Sequence, residues 1–195
     1  MEIVVGISGA SGVIYGVRLL QALGEGYTKH LVMTGSARKI LELETDFSIQ
    51  DVRSLADRSY DPDDFTAPVA SGSYLFDAMV VAPCSMRTLA GIATGSSDTL
   101  LLRCADVCLK ERRKLVLVTR EMPLSLVHLK NMVSASEAGA IILPACPSFY
   151  SRPKNVGDMV DIVVGRAMDL LDIKSDLISR WGGNAYNSSG QSGGR

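Results

Sequence analysis

Three times in this chain a short apolar run stops at small or hydroxyl-bearing residues and gives way to apolar residues at helical spacing. EIVVGIS (2–8) is rich in β-branched residues and reads as a buried strand. It meets GASG (9–12), after which Val13, Val17, Leu20 and Leu23 share one helical face, with Gly24 and Gly26 ending the helix. KHLVMT (29–34) leads in the same way through Gly35-Ser36 into a helix that reaches Glu44. AMVVA (78–82) stops at Pro83-Cys84-Ser85, and residues 88–93 are again helical. A strand that turns through small residues into a helix leaves free N–H groups at the helix start. The helix dipole behind them favours an anion. The glycines at 6, 9 and 12 lack the G-x-G-x-x-G spacing of dinucleotide binders, so at the first junction an anion site and a ligand-free tight connection both stay open.

The alternation continues. Residues 99–110 read as a helix that Asp98 can cap, 115–119 as a buried strand, and the next helix runs to 137 with Pro123 in its first turn. Residues 140–143 form the last strand, and a helix over 156–171 closes the pattern. Residues 45–73, carrying Asp51, Asp57, Asp61, Asp63, Asp64, Pro62 and Pro68, read as a surface excursion with a short helix at 52–56. Short strands alternating with helices predict an α/β fold, a doubly wound parallel sheet in a single domain over residues 1–173. The tail, 174–195, holds the only tryptophan, Trp181, expected at a subunit contact, and ends in a polar stretch expected to be disordered.

In such sheets ligands bind beyond the carboxyl ends of the strands. Ser11, Thr34, Ser85, Arg120, Glu121 and Pro144 collect there, with Ser8 offering a further hydroxyl at the rim. Arg120 can hold a phosphate bidentately and Glu121 can move a proton, although a surface salt bridge between them is the competing reading. Glu44 ends its helix where the dipole disfavours a negative charge, which argues for a specific use. The basic run KERRK (110–114) reads as a solvated face, with Lys110, near Arg103, the member best placed to reach a ligand. The rigid loop PACPSFY (144–150) presents Tyr150, and Arg166 interrupts an apolar helical face, so it either snorkels to water or meets an anion. His30 and His128 read as structural.

A formal net charge of −1 gives no global attraction to nucleic acid or an anionic membrane, so an anionic ligand must be held by local groups. No apolar stretch approaches the roughly 20 residues that span a bilayer. The N-terminus shows no basic segment followed by a cleavage site, and the expected location is the cytoplasm. Cys84, Cys104, Cys108 and Cys146 match no zinc spacing and are expected to be buried reduced thiols, with no metal.

Six segments in order, GISGASGVIYGVRLL (6–20), LETDFS (43–48), ASGS (70–73), APCSMRTLAGIATG (82–95), ADVCLKERRKLVLVTRE (105–121) and LPACPSFYSRP (143–153), resemble the flavin prenyltransferases (UbiX-like). These are homo-oligomeric, FMN-binding, Rossmann-like proteins, and the resemblance runs over residues 3–181. It implies metal-independent transfer of a dimethylallyl group from dimethylallyl monophosphate to N5 and then C6 of reduced FMN. The prenylated FMN would serve a UbiD-type decarboxylase. By the same resemblance Gly9, Ala10 and Ser11 line the flavin, with Ser11 near N5, and Thr34, Ser85, Met86, Arg87, Thr88 and Arg120 are further flavin contacts. Lys110, Tyr150 and Arg166 would grip the prenyl phosphate, with Ser71, Gly72 and Arg103 also on the substrate side. Glu121 would assist proton transfer and Glu44 lie beside the reacting centre. A dodecamer with sites at subunit interfaces is implied. Two rival readings are an FMN-dependent cysteine-type decarboxylase and a non-catalytic flavin-binding subunit of an aromatic-acid decarboxylase. The cysteine-type enzymes rely on a histidine early in the chain, where this sequence has only His30.

Overall fold

A computed structural model describes residues 1–178 and residue 180, so Trp181 and the rest of the tail lie outside the described residues. Within it, β1 (Glu2–Ile7), β2 (Thr28–Met33), β3 (Arg58–Tyr60), β4 (Ala78–Cys84), β5 (Lys114–Thr119) and β6 (Ile141–Pro144) form one sheet in the order β3-β2-β1-β4-β5-β6. Every pairing is parallel. The helices are α1 (Ile14–Ala22), α2 (Gly35–Glu44), α3 (Ile49–Ser54), α4 (Met86–Ala93), α5 (Leu100–Lys110), α6 (Leu126–Glu137) and α7 (Val156–Leu170). The doubly wound α/β expectation is borne out.

The side-chain period of two divides the core. Ile3, Val5 and Ile7 of β1 face the layer built from α1, α2, α3 and α7. Val4 of β1 and Met79 and Val81 of β4 face α4, α5 and the inner side of α6. Because helices cover both faces, β4 is buried at every position, which its unbroken apolar run requires. On one side, α1 lies so close to the sheet that a Cβ on Gly16 would stand 2.3 Å from the Ala82 carbonyl oxygen and 2.7 Å from Ile7 Cγ1. Only a glycine permits that approach.

Strand order reverses between β1 and β4, opening a crevice at their carboxyl ends. Ser8 bridges it. Its hydroxyl donates to the Pro83 carbonyl at 2.9 Å and accepts the Ser85 N–H at 2.8 Å. Ser8 is fully buried, so the expectation of a hydroxyl at the ligand rim is corrected: this one joins two strands.

Other expectations shift locally. The excursion over 45–73 contains an edge strand, β3, and a 3-10 turn at Pro68–Ala70, and its helix is α3, started by a Ser48–Asp51 capping box. Thr99, not Asp98, caps α5 by accepting the Leu102 N–H. Pro123 stands before α6 rather than in its first turn, because Ser125 and His128 form the cap. Cys84, Cys104 and Cys108 are buried, and burial pushes the Cys104 thiol up to about 12, but Cys146 is exposed. Among the described residues no helix is long and apolar enough to cross a membrane.

His30 is structural, as expected. It is buried at the amino half of β2, with Nδ1 3.0 Å from the Tyr60 hydroxyl and Nε2 3.0 Å from Glu2 Oε2. Tyr74 donates to the same carboxylate oxygen at 2.6 Å. That bond, with the one to His30, holds the Glu2 carboxyl below its ordinary value. Tyr60 lies within the excursion and Tyr74 directly after it, so this network fastens its middle and its far end to the amino edge of the sheet.

Candidate functional site

Three helices begin at one cleft of about 980 Å³ above the crevice. Each is started by a hydroxyl. Thr34 accepts the Ala37 N–H at 3.2 Å to start α2, Ser85 accepts the Thr88 N–H at 3.2 Å to start α4, and Thr99 starts α5. Thr34, Ser85 and Thr99 all line the cleft. The caps leave other first-turn N–H groups free, and three positive dipole ends then face one space. The cations Arg38, Lys39 and Arg87 line it too, against Asp61, Asp63, Asp98 and Glu121. Arg38 Nε is buried without a hydrogen-bond partner, and its nearest carboxylate, on Asp61, stands 3.6 Å from Nη2.

The floor is the turn from Gly9 to Gly12, held from three directions. Gly9 packs so close to α2 that an added Cβ would lie 2.5 Å from Ser36 Cβ. The Gly12 N–H donates to Glu44 Oε2 at 2.7 Å, and Gly12 has a φ of +92°, which favours glycine. Arg120 Nε donates to the Ser11 carbonyl at 3.2 Å. The expected special use of Glu44 is therefore at least in part this N–H, which offsets an unfavourable place at the end of α2. The same bond takes Arg120 away from the competing salt bridge with Glu121. The Glu121 carboxylate instead accepts the Met122 N–H at 3.0 Å.

Of the residues singled out in the sequence, Gly9, Thr34, Ser85, Met86, Arg87, Thr88 and Glu121 line the cleft together. Ala10, Ser11, Glu44 and Arg120 build or brace its floor. The others stand apart. Arg103 donates to the Ala70 carbonyl at 2.9 Å and pairs with Asp106 at 2.6 Å. Lys110 pairs with Glu111, and a Cβ on Gly72 would meet its Nζ at 2.6 Å. Ser71 is exposed and bonds Ser73. Lys110 ends α5, eleven residues and about 16 Å from the helix start at the cleft. It belongs to the amino edge of the sheet.

Tyr150 is half exposed in the loop after β6. Arg166 points to water from α7 and pairs with Asp169 at 2.6 Å, so of the two expectations for it snorkelling holds within one chain. Burial opposes the charge on Asp169, but Arg180 and Arg166 hold its carboxyl below the ordinary value. Lys110 and Arg166 thus rise from helices on opposite faces of one sheet. Arg38 escaped the sequence reading, although its position one turn beyond the Thr34 cap would have flagged it. Among the described residues no group of three or more His, Cys, Asp or Glu side chains could hold a metal ion.

A family model described as Flavoprotein matches residues 1–168. The flavin prenyltransferase UbiX of Thermoplasma acidophilum is 54% identical over 93% of this chain and 100% of its own length. Among solved structures, a dodecameric FMN-dependent Ubix-like decarboxylase from Escherichia coli O157:H7 superposes with a TM-score of 0.92 at 49% identity, covering 94% of this chain and 100% of that one. AnUbiX (PadA1), in complex with FMN and dimethylallyl pyrophosphate, also has a TM-score of 0.92, at 46% identity over 93% of this chain and 97% of that one.

Proposed function

The chain belongs to the flavin prenyltransferase family of flavoproteins, and on that premise we propose that it transfers the dimethylallyl group of dimethylallyl monophosphate to reduced FMN held in the cleft. The observation that carries this reading is the convergence of three capped helix starts on one cleft of about 980 Å³. That arrangement suits a phosphate-bearing ligand. The orphaned Arg38 Nε is a buried donor that a phosphoryl oxygen would satisfy, so the residues present fit FMN.

Bound there, reduced FMN supplies the nucleophilic N5 and C6 to which the prenyl group is joined. Thr34, Ser85, Met86, Arg87 and Thr88 hold it at the starts of α2 and α4. Gly9, Ala10 and Ser11 form the surface under the ring, and Arg120 and Glu44 fix that surface by holding Ser11 and Gly12. Glu121, at the rim, takes or returns a proton. A phosphate leaves carbon readily only if its growing charge is stabilised, and Lys110, Arg166 and the Tyr150 hydroxyl would supply that stabilisation. Ser71, Gly72 and Arg103 shape the surroundings of Lys110.

Opposite faces of one sheet cannot bring Lys110 and Arg166 to the same phosphate. Their separation supports a site completed by neighbouring copies in a homo-oligomer, a dodecamer like the E. coli protein matched above. The prenylated flavin would pass to a UbiD-type decarboxylase.

His30 tells against the cysteine-decarboxylase rival, since both its ring nitrogens are engaged on the far edge of the sheet from the cleft. Purified protein incubated with reduced FMN and dimethylallyl monophosphate should give a heavier flavin with a changed absorbance spectrum. If mass spectrometry finds no such species, the assignment fails. Release of carbon dioxide from a cysteine-derived substrate would favour the rival.

A further inference from the structure

The charges around the cleft do not all favour a phosphate. Carboxylates on Asp61, Asp63, Asp98 and Glu121 line it against the cations. Asp98 is engaged by Ser96, and Glu121 by the Met122 N–H. Asp61 differs from these. Its Oδ2 stands 3.6 Å from Arg38 Nη2, and among the described residues this is the one ion pair between two charges of the cleft. Asp61 is also held in place. Its Oδ1 accepts the Asp63 N–H at 3.1 Å, an aspartate turn closed by its own side chain. The next residue, Pro62, accepts the Leu100 N–H at 2.7 Å, which ties the turn to the start of α5. On the other side Tyr60 is paired into the sheet and bonded to His30. A carboxylate fixed in this way stays beside Arg38 when a ligand arrives.

Arg38 is only partly engaged by this pair. Nε is buried without a partner, and 3.6 Å at Nη2 is longer than a hydrogen bond. Both nitrogens belong to one planar guanidinium, so a phosphoryl oxygen bonded to Nε would lie within a few ångström of the Asp61 carboxylate. We propose that Asp61 is a built-in competitor for the flavin phosphate. It neutralises part of the Arg38 charge and repels a phosphate placed at Nε, and so keeps the affinity for FMN below what the cleft could reach. The inference rests on the FMN reading above. The flavin phosphate takes no part in the bonds formed at N5 and C6, so a tighter hold on it would be uniform binding, which gains no rate once the site is filled. Flavin and prenylated flavin carry the same phosphate, and a grip that is not maximal lets the product leave.

Titration of the purified protein with FMN, and with riboflavin, which lacks the phosphate, tests this in wild type and in Asp61→Asn. Asparagine keeps an oxygen that can accept the Asp63 N–H, so the turn survives. Removing one negative charge from a partly exposed place so near a phosphate should tighten FMN about three- to tenfold, with riboflavin unchanged within about twofold. Asp61→Ser, whose hydroxyl can also accept that N–H, should give the same gain and guards against a folding defect in the first variant. Asp63→Asn removes a cleft carboxylate outside the ion pair and should gain less; an equal gain overturns the specific role of Asp61. FMN affinity that is unchanged or weaker in both Asp61 variants overturns the inference. Equal tightening of riboflavin overturns it too, since the effect would then not depend on the phosphate. A wild-type protein that binds neither flavin removes the FMN reading itself, whereas a wild type that binds FMN, with no gain in the variants, removes this inference and leaves that reading standing.

Discussion

Ser8→Ala should be costly for so small a change. The serine hydroxyl is fully buried, donating to the Pro83 carbonyl at 2.9 Å and accepting the Ser85 N–H at 2.8 Å. After the substitution the Pro83 oxygen keeps a partner, because the Ser8 N–H reaches it at 3.2 Å. The Ser85 N–H loses its acceptor. An unmade hydrogen bond to a buried donor costs about 1–3 kcal/mol, and since Ser85 is only partly buried we expect about 2 kcal/mol in all. The damage falls at the cap of α4, so flavin affinity should weaken as well, by about tenfold if roughly 1.4 kcal/mol of the loss is expressed at the cleft. Urea unfolding followed by circular dichroism, with both proteins at the same subunit concentration, measures the first effect. Titration with FMN measures the second. Ser85→Ala is the control: it removes the cap oxygen of α4 but leaves the bond from the Ser85 N–H to the Ser8 hydroxyl in place. A Ser8→Ala protein within about 0.5 kcal/mol of wild type, with an unchanged Kd for FMN, would refute the claim that this hydroxyl positions the site.

Three further outcomes are expected. Gly16→Ala puts a methyl 2.3 Å from a backbone carbonyl that cannot swing aside, so it should destabilise by about 1–3 kcal/mol or more, visible as a lower Tm; an unchanged Tm would contradict the close approach of α1 to β4. Lys110→Ala and Arg166→Ala should each be nearly inactive alone. Co-expressed in one cell they should regain activity, because about a quarter of sites in a random mixture would receive both cations; no recovery would place the two residues in the same chain's site. Glu2, held below its ordinary 4.5 by Tyr74 and His30, contributes stability at neutral pH that is lost as pH falls through its folded-state value. Glu2→Gln should therefore flatten the acid side of a Tm-against-pH profile, and a profile parallel to wild type would remove that contribution.

The strands buried on both faces stood out most plainly in the sequence. β4 and β5 are unbroken apolar runs, and no competing period confuses them. β3 escaped because Arg58-Ser59-Tyr60 is too short to show an alternation and sits at an edge, where neither face demands apolar residues. Thr99 rather than Asp98 became the cap because both neighbours can accept a first-turn N–H and only backbone geometry decides; Asp98 is engaged by Ser96 instead. At the site, the residues that follow β1, β2, β4 and β5 were legible since parallel strands put their carboxyl ends on one edge. The separation of Lys110 from Arg166 was not. Which face of a sheet a helix covers depends on the direction of each crossover, and no local pattern in α5 or α7 records it.

The tight seat of Gly9 against Ser36 bears on how ligands come and go. A turn wedged against one helix, tied to the last carboxylate of that helix and pinned by a guanidinium has no room to swing. It cannot serve as a lid. Its amides are ordered before any ligand arrives, so little conformational entropy is lost on binding, and affinity benefits accordingly. Entry and exit of a ligand then proceed over a floor that stays in place, so the same set of amides meets the ligand in every binding event.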